Sequence, residues 1–236
     1  ELDRLPETTL TDANFWKTET DLRGACNRLY EQLGGFWHDK RSDELVGTSA
    51  DDTSSGSRSI PPTDDTNWRD PYRKIYVSNN ILAKAEGSNI PEANKNRWLG
   101  EARFFRAYNY FGLVKRYGDV PLMMKTFDTV DDPEIFKGRN TVEEVIAQCY
   151  EDLDFAAEWL PTHSKISSSG DWGRVSRSSA LALKARIALY IGTLTKYHSL
   201  PGNAKAHLKA SIDACEAVMK EGHALFPDFQ KLFYFD

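Results

Sequence analysis

The sequence predicts an all-α protein, and three stretches carry that reading. At helical periodicity, residues 94–117 place Gly100, Phe104, Ala107, Phe111 and Val114 on one stripe and Leu99, Ala102, Tyr110, Leu113 and Tyr117 on a second. A helix with two apolar faces has to be sandwiched between other helices, and small residues on one stripe let a neighbour approach closely. Residues 142–160 form a single clean stripe of Val142, Val145, Ile146, Cys149, Leu153, Ala156, Ala157 and Leu160, preceded by Thr141 and Glu144 at capping-box spacing. Residues 176–196 set the large side chains Leu183, Ile187, Tyr190, Ile191 and Leu194 against a small-residue side of Ala182, Ala185, Ala188 and Gly192.

The remaining elements follow in chain order. Thr11 or Asp12 caps a first helix running to about residue 33, with Phe15, Leu22, Cys26, Leu29 and Leu33 inward and Gly34-Gly35 ending it. Residues 36–66 read as a long irregular loop, of a length that is often functional. The next helix starts between Asn67 and Pro71; Asp70 as N-cap with Pro71 at the first helical position is the clearest signal, although Trp68 can begin an earlier turn. Its face is Tyr72, Ile75, Tyr76, Asn79, Leu82 and Ala83, and it ends near Gly87. Ile90-Pro91 opens the two-faced helix, Gly118 stops it, and Pro121 prevents a restart. A connector spans 123–139 and a polar loop 163–172. A last helix covers about 204–221, with Leu208, Ile212, Cys215, Val218 and Met219 inward. Paired helices with alternating small and large faces have the pattern of a helical-hairpin repeat. Trp68-x-x-x-Tyr72 and Gly100-x-x-x-Phe104-x-x-Ala107 echo the tetratricopeptide unit at irregular spacing, so the expected architecture is a divergent tetratricopeptide-like stack with long irregular loops. The apolar, aromatic run 225–235 is expected to be covered by further protein or by another chain.

Composition narrows the function. With 236 residues, 40% hydrophobic and 28% charged, the chain has the balance of a globular domain. A net charge of −5 and no Lys/Arg stripe argue against nucleic-acid binding. No apolar run is long enough to cross a bilayer. The polar start Glu1-Leu2-Asp3-Arg4 resembles a mature terminus, which places any membrane anchor upstream. Cys26, Cys149 and Cys215 each fall on an apolar stripe and read as buried free thiols. The five histidines are scattered without metal spacing, and neither a phosphate loop nor a nucleophile elbow is present. No cofactor is expected.

Carboxylates gather at Asp39, Asp43 and Glu44, at Asp51-Asp52 and at Asp64-Asp65. Loop carboxylates of this kind usually form turns and caps, whereas a glycosidase needs two held across a cleft. The cluster Trp37-His38-Asp39-Lys40-Arg41-Ser42-Asp43 has two readings. An indole can stack on a sugar ring while Asp and Arg bind its hydroxyls. Alternatively, Phe36 and Trp37 plug the end of the helix stack. Trp68 is a further candidate platform, with packing against Tyr72 as its structural reading.

Glu101-Ala102-Arg103-Phe104-Phe105-Arg106-Ala107-Tyr108, followed by Tyr117-Gly118-Asp119-Val120-Pro121-Leu122, resembles the signature of SusD/RagB-type lipoproteins. Further blocks fit in order: Leu2 to Pro6 with Thr11 to Trp16, Tyr76 to Leu82, Tyr150 to Ala156, Gly173 to Ser176, and Ala217 to Phe226. The resemblance implies a non-catalytic glycan-binding protein on the outer-membrane surface, lipid-anchored upstream of this sequence, that hands oligosaccharide or polysaccharide to a SusC-like TonB-dependent transporter. It also implies that 1–236 is the helical N-terminal portion of a longer protein. The sugar-contacting positions expected here are Trp37, Asp39, Arg41, Asp43 and Trp68. Arg103, Arg106 and Asp119 are expected to be structural, tying helix ends to the following turn. A docking scaffold without its own sugar site, a peptide-binding relative and a helical glycosidase are the rival readings.

Overall fold

The computed structural model describes residues 12, 15–33, 47–49, 55–57, 65–127 and 129–234. Within them lie α1 (Glu19–Asn27), α2 (Thr66–Glu86), α3 (Glu92–Tyr117), α4 (Val142–Trp159), α5 (His163–Ser168), α6 (Arg177–Tyr197) and α7 (Ala204–Met219). Short 3-10 turns sit at Tyr30–Gln32, Pro133–Phe136 and Lys231–Phe233. The described residues include no strand, only an isolated antiparallel bridge between Val120 and Asn140. The fold is all-α.

Helices pack in chain order: α2 on α3, α3 on α4, α4 on α6 and α6 on α7, with α1 laid across α3 and α2. The central position of α3 explains its two stripes. Leu99, Ala102, Tyr110 and Leu113 are buried, and so are Gly100, Phe104, Ala107, Phe111 and Val114. Gly118 ends α3 at φ +69°, a conformation that a Cβ would strain. The Thr141–Glu144 capping box forms as the sequence predicts.

Four local expectations are corrected. The first helix is shorter, because Trp16 sits at φ +68° and the chain enters α1 only at Thr18, which closes a capping box with Asp21. Helix α2 begins at Thr66, one residue ahead of the expected 67–71 range and a full turn before Pro71, because the Asp65 carboxylate takes the Asn67 amide at 2.9 Å and the Tyr117 hydroxyl at 2.6 Å. These contacts fix a turn ahead of Pro71, which is accommodated inside the helix. The polar segment 163–172 contains the short helix α5, held by the buried Ile166.

The fourth correction is a rotated face on α7. His207, Ser211 and Ala214 point inward, while Ile212, Cys215 and Met219 are exposed. The bare backbone of Gly192 draws α7 in: a Cβ there would lie 2.9 Å from Leu208 and 3.2 Å from His207. The Ser211 hydroxyl then donates to the Ala185 carbonyl at 2.9 Å. Of the three cysteines, therefore, only Cys26 and Cys149 are buried.

Candidate functional site

Two buried ionic clusters account for most charged residues of the sequence signature. Arg106 of α3 clasps Asp152 of α4 through Nε at 2.7 Å and Nη2 at 2.6 Å, and donates from Nη1 to Asn79 of α2 at 2.8 Å. Arg103 lies 3.7 Å from the same aspartate and covers the Phe155 ring. Asn79 in turn donates to the Met123 carbonyl at 2.9 Å, fixing the chain that leaves α3. In the second cluster Arg174 holds Glu101 through Nε at 2.9 Å and Nη2 at 2.8 Å, and its guanidinium lies over Tyr30 and Trp98. Beside it, Asp171 accepts from Arg23 at 2.7 Å and from Arg97. Burial alone would raise the Asp171 carboxyl, but Arg97 and Arg23 outweigh it and hold the group below the ordinary aspartate range. Asp119 accepts the Val142 amide at 2.8 Å and so anchors the start of α4. These groups are spent on the fold. Arg106 bridges three helices mid-length, a larger role than the helix-end tie expected from sequence.

A different arrangement occurs between α1 and α2. Tyr72, Arg73, Tyr76, Val77, Asn80 and Ile81 share one face of α2, recurring at helical spacing. Gly24 and Ala25 of α1 and Arg28 at its C-terminal cap form the facing side, and the small side chains of the first two leave a groove of about 690 Å³. Phe15 and Trp16 close one end as an edge-to-face pair with centroids 4.8 Å apart. Trp16 is held at its positive φ by a 3.0 Å hydrogen bond from its indole N–H to Asp12, which is also paired with Lys84. The Tyr72 hydroxyl donates to the Pro121 carbonyl at 2.7 Å. By contrast, the side chains of Arg28, Arg73, Tyr76 and Asn80 make no hydrogen bond or ion pair among the described residues. Aromatic rings beside uncommitted polar groups give a surface that can stack on a flat apolar ligand face and hydrogen-bond its edge.

The sequence-predicted positions Trp37, Asp39, Arg41 and Asp43 lie outside the described residues. Trp68 is half-buried against Tyr72 at 5.2 Å and Tyr117 at 5.0 Å, with the Arg139 guanidinium over its ring. It does not line the α1–α2 groove. Sequence reasoning named Tyr72 and Tyr76 only as an inward helix face. The signal available was Arg73 and Asn80 interleaved with those tyrosines, and Gly24 with Ala25 on the facing helix. No described group of three or more His, Cys, Asp or Glu residues is placed to hold a metal ion. His207 is occupied between Tyr150 and Glu143, tying α7 to α4.

Comparison with known proteins agrees with the helical fold. Residues 8–189 match the family SusD-like_3, described as "Starch-binding associating with outer membrane". SusD-like protein P2 of Formosa agariphila is 29% identical over 99% of this chain and 46% of its own length. The crystal structure of a SusD-like protein from Bacteroides fragilis, 28% identical, superposes with a TM-score of 0.72 over 94% of this chain and 42% of that one. A laminarin-binding SusD-like protein, 21% identical, shares the fold with a TM-score of 0.67 over 92% of this chain and 48% of its own. The chain thus spans about half the length of the relatives it matches. The family is one of carbohydrate-binding proteins rather than enzymes, and it associates with the outer membrane. A match over residues 8–189, joined to a shared all-α fold whose ion clusters use the residues of the sequence signature, makes this chain a member of the SusD-like family.

Proposed function

We propose that this chain captures an oligosaccharide or polysaccharide in the groove between α1 and α2. It would act as the helical N-terminal portion of a longer receptor, lipid-anchored at the outer-membrane surface, that passes the glycan to a SusC-like TonB-dependent transporter. The observation that carries the reading is the groove itself, where Phe15, Trp16, Tyr72 and Tyr76 lie beside polar side chains that have no partner among the described residues. The starch-binding description of the family and the laminarin-binding relative support a sugar as the occupant. Trp37, Asp39, Arg41 and Asp43, on the segment that follows the Tyr30–Gln32 turn, are proposed to extend the site, and Trp68 to brace it. A glycosidase is disfavoured, since no carboxylate lines the groove among the described residues.

A scaffold reading draws on the opposite end of the stack. There Leu189, Ile212 and Met219 are exposed, around a shallow groove of about 410 Å³ between α6 and α7. That face suits docking of the transporter and is compatible with a sugar site at the other end. Affinity electrophoresis against plant, host and microbial polysaccharides tests capture. We expect retardation by at least one of them, weakened in Tyr76→Ala. A chain retarded by none of them does not capture glycans by itself.

A further inference from the structure

The charge pattern of the α1–α2 groove selects among glycans. A sugar hydroxyl is both a donor and an acceptor, so a site for a neutral sugar needs acceptors as well as donors, commonly carboxylates. The described lining has few acceptors. Arg28 and Arg73 are donors only, and neither meets an acid among the described residues. The Trp16 indole N–H is committed to Asp12 and the Tyr72 hydroxyl to Pro121, leaving Asn80 and the Tyr76 hydroxyl as the neutral polar groups. Asp12 contacts the lining through the Trp16 indole, and Lys84 pairs with it.

Elsewhere in this acidic chain, several arginines that face a neighbouring element are matched by carboxylates: Arg106 by Asp152, Arg174 by Glu101, and Arg23 and Arg97 by Asp171, while Arg139 meets the Trp68 ring and the Asp119 carbonyl. Two guanidinium side chains, one on each wall of an aromatic groove and neither ion-paired among the described residues, are complementary to an anion that can engage both. Their planar forks suit the bidentate geometry of a carboxylate or sulfate.

We infer that the groove takes an acidic oligosaccharide, whose uronate carboxylate or sulfate lies between Arg28 and Arg73 while Tyr76 and the Phe15–Trp16 pair cover its ring faces. This deepens the glycan reading and rests on it. Titration calorimetry on the 236-residue chain separates the two. The ligands are oligogalacturonate and its methyl-esterified form, and a sulfated galactan oligosaccharide and its desulfated form. Each pair keeps the backbone and removes the charge, and the two pairs distinguish carboxylate from sulfate.

At least one charged ligand is expected to bind about tenfold or more tightly than its neutral counterpart, because hydrogen bonds to an ionised group are the stronger kind. Arg28→Gln with Arg73→Gln should erase that preference without moving the thermal midpoint, and the double Lys variant should restore part of it. Equal binding of charged and neutral forms, or a preference that survives the double Gln variant, overturns the acidic assignment and leaves glycan capture standing. Poly-glutamate binding as tightly as oligogalacturonate overturns it in favour of an acidic peptide. A chain that binds no polysaccharide of either charge overturns both readings.

Discussion

Arg106 and Arg73 sit on adjacent helices, α3 and α2, and meet opposite surroundings. Arg106 is buried, with its nitrogens shared between Asp152 and Asn79. Arg73 is exposed on a groove wall and forms no ion pair among the described residues. The first environment is a closed network in which each charge is answered, so its members depend on one another. The second leaves hydrogen-bonding capacity available to a ligand. Between these two arginines, a carboxylate on a neighbouring element separates a guanidinium built into the fold from one open to a ligand.

The largest effect is expected at Asp152. Asp152→Ala strands Arg106 inside the helix stack, and removing one partner of a buried pair typically costs about 3–5 kcal/mol. Chemical denaturation should show a correspondingly lower midpoint. Replacing both members, Arg106→Met with Asp152→Leu, should recover much of the loss, and a single variant as stable as the parent would show that the network is idle.

Asp171 supplies a milder, pH-dependent version. Its folded-state carboxyl lies below the ordinary aspartate value of about 3.9, held there by Arg97 and Arg23 against the cost of burial. Its stabilising contribution is therefore complete above that ordinary value and disappears as pH falls through the lower folded value. Asp171→Asn should cost about 2 kcal/mol at pH 7, and the gap to the parent should narrow on acidification below about pH 4. A gap that stays constant with pH would remove charge from the explanation.

Thr141→Ala removes the cap of α4 and should cost about 1 kcal/mol. The smallest effect is expected in the groove. Arg28→Gln and Arg73→Gln should each stay within about 0.5 kcal/mol of the parent, as exposed substitutions away from a network do. A large destabilisation by either would make these arginines structural and collapse the contrast with Arg106.

Much of the fold was legible because it follows from local chemistry. The double stripe of α3 is written in residues 94–117, and its sandwiching follows from that pattern. The α4 cap is carried by two side chains three residues apart, Thr141 and Glu144. What failed depended on partners far away in sequence. The early start of α2 is fixed in part by Tyr117 reaching Asp65 across the stack. The α7 stripe of Ile212, Cys215 and Met219 is apolar, but Gly192 and Ala185 of α6 decide that His207 and Ser211 face inward instead.

The groove escaped sequence reading for a similar reason. Two helices must be laid side by side before Gly24 and Ala25 become an opening and Tyr76 becomes a wall. A resemblance directs attention to the signature arginines, yet those are the ones the fold consumes.

Gly24 offers the most direct test of the groove. It faces the opening, and a Cβ built there meets nothing within 4 Å, so Gly24→Phe can fill the groove from a helix position that has room for it. The measurement is affinity electrophoresis of this variant beside the parent, with thermal midpoints recorded for both. Lost or strongly reduced retardation is expected at an unchanged or slightly raised midpoint, since a glycine leaves a helix interior. Retardation equal to the parent's, with the fold intact, would place the glycan elsewhere and contradict the assignment of the α1–α2 groove.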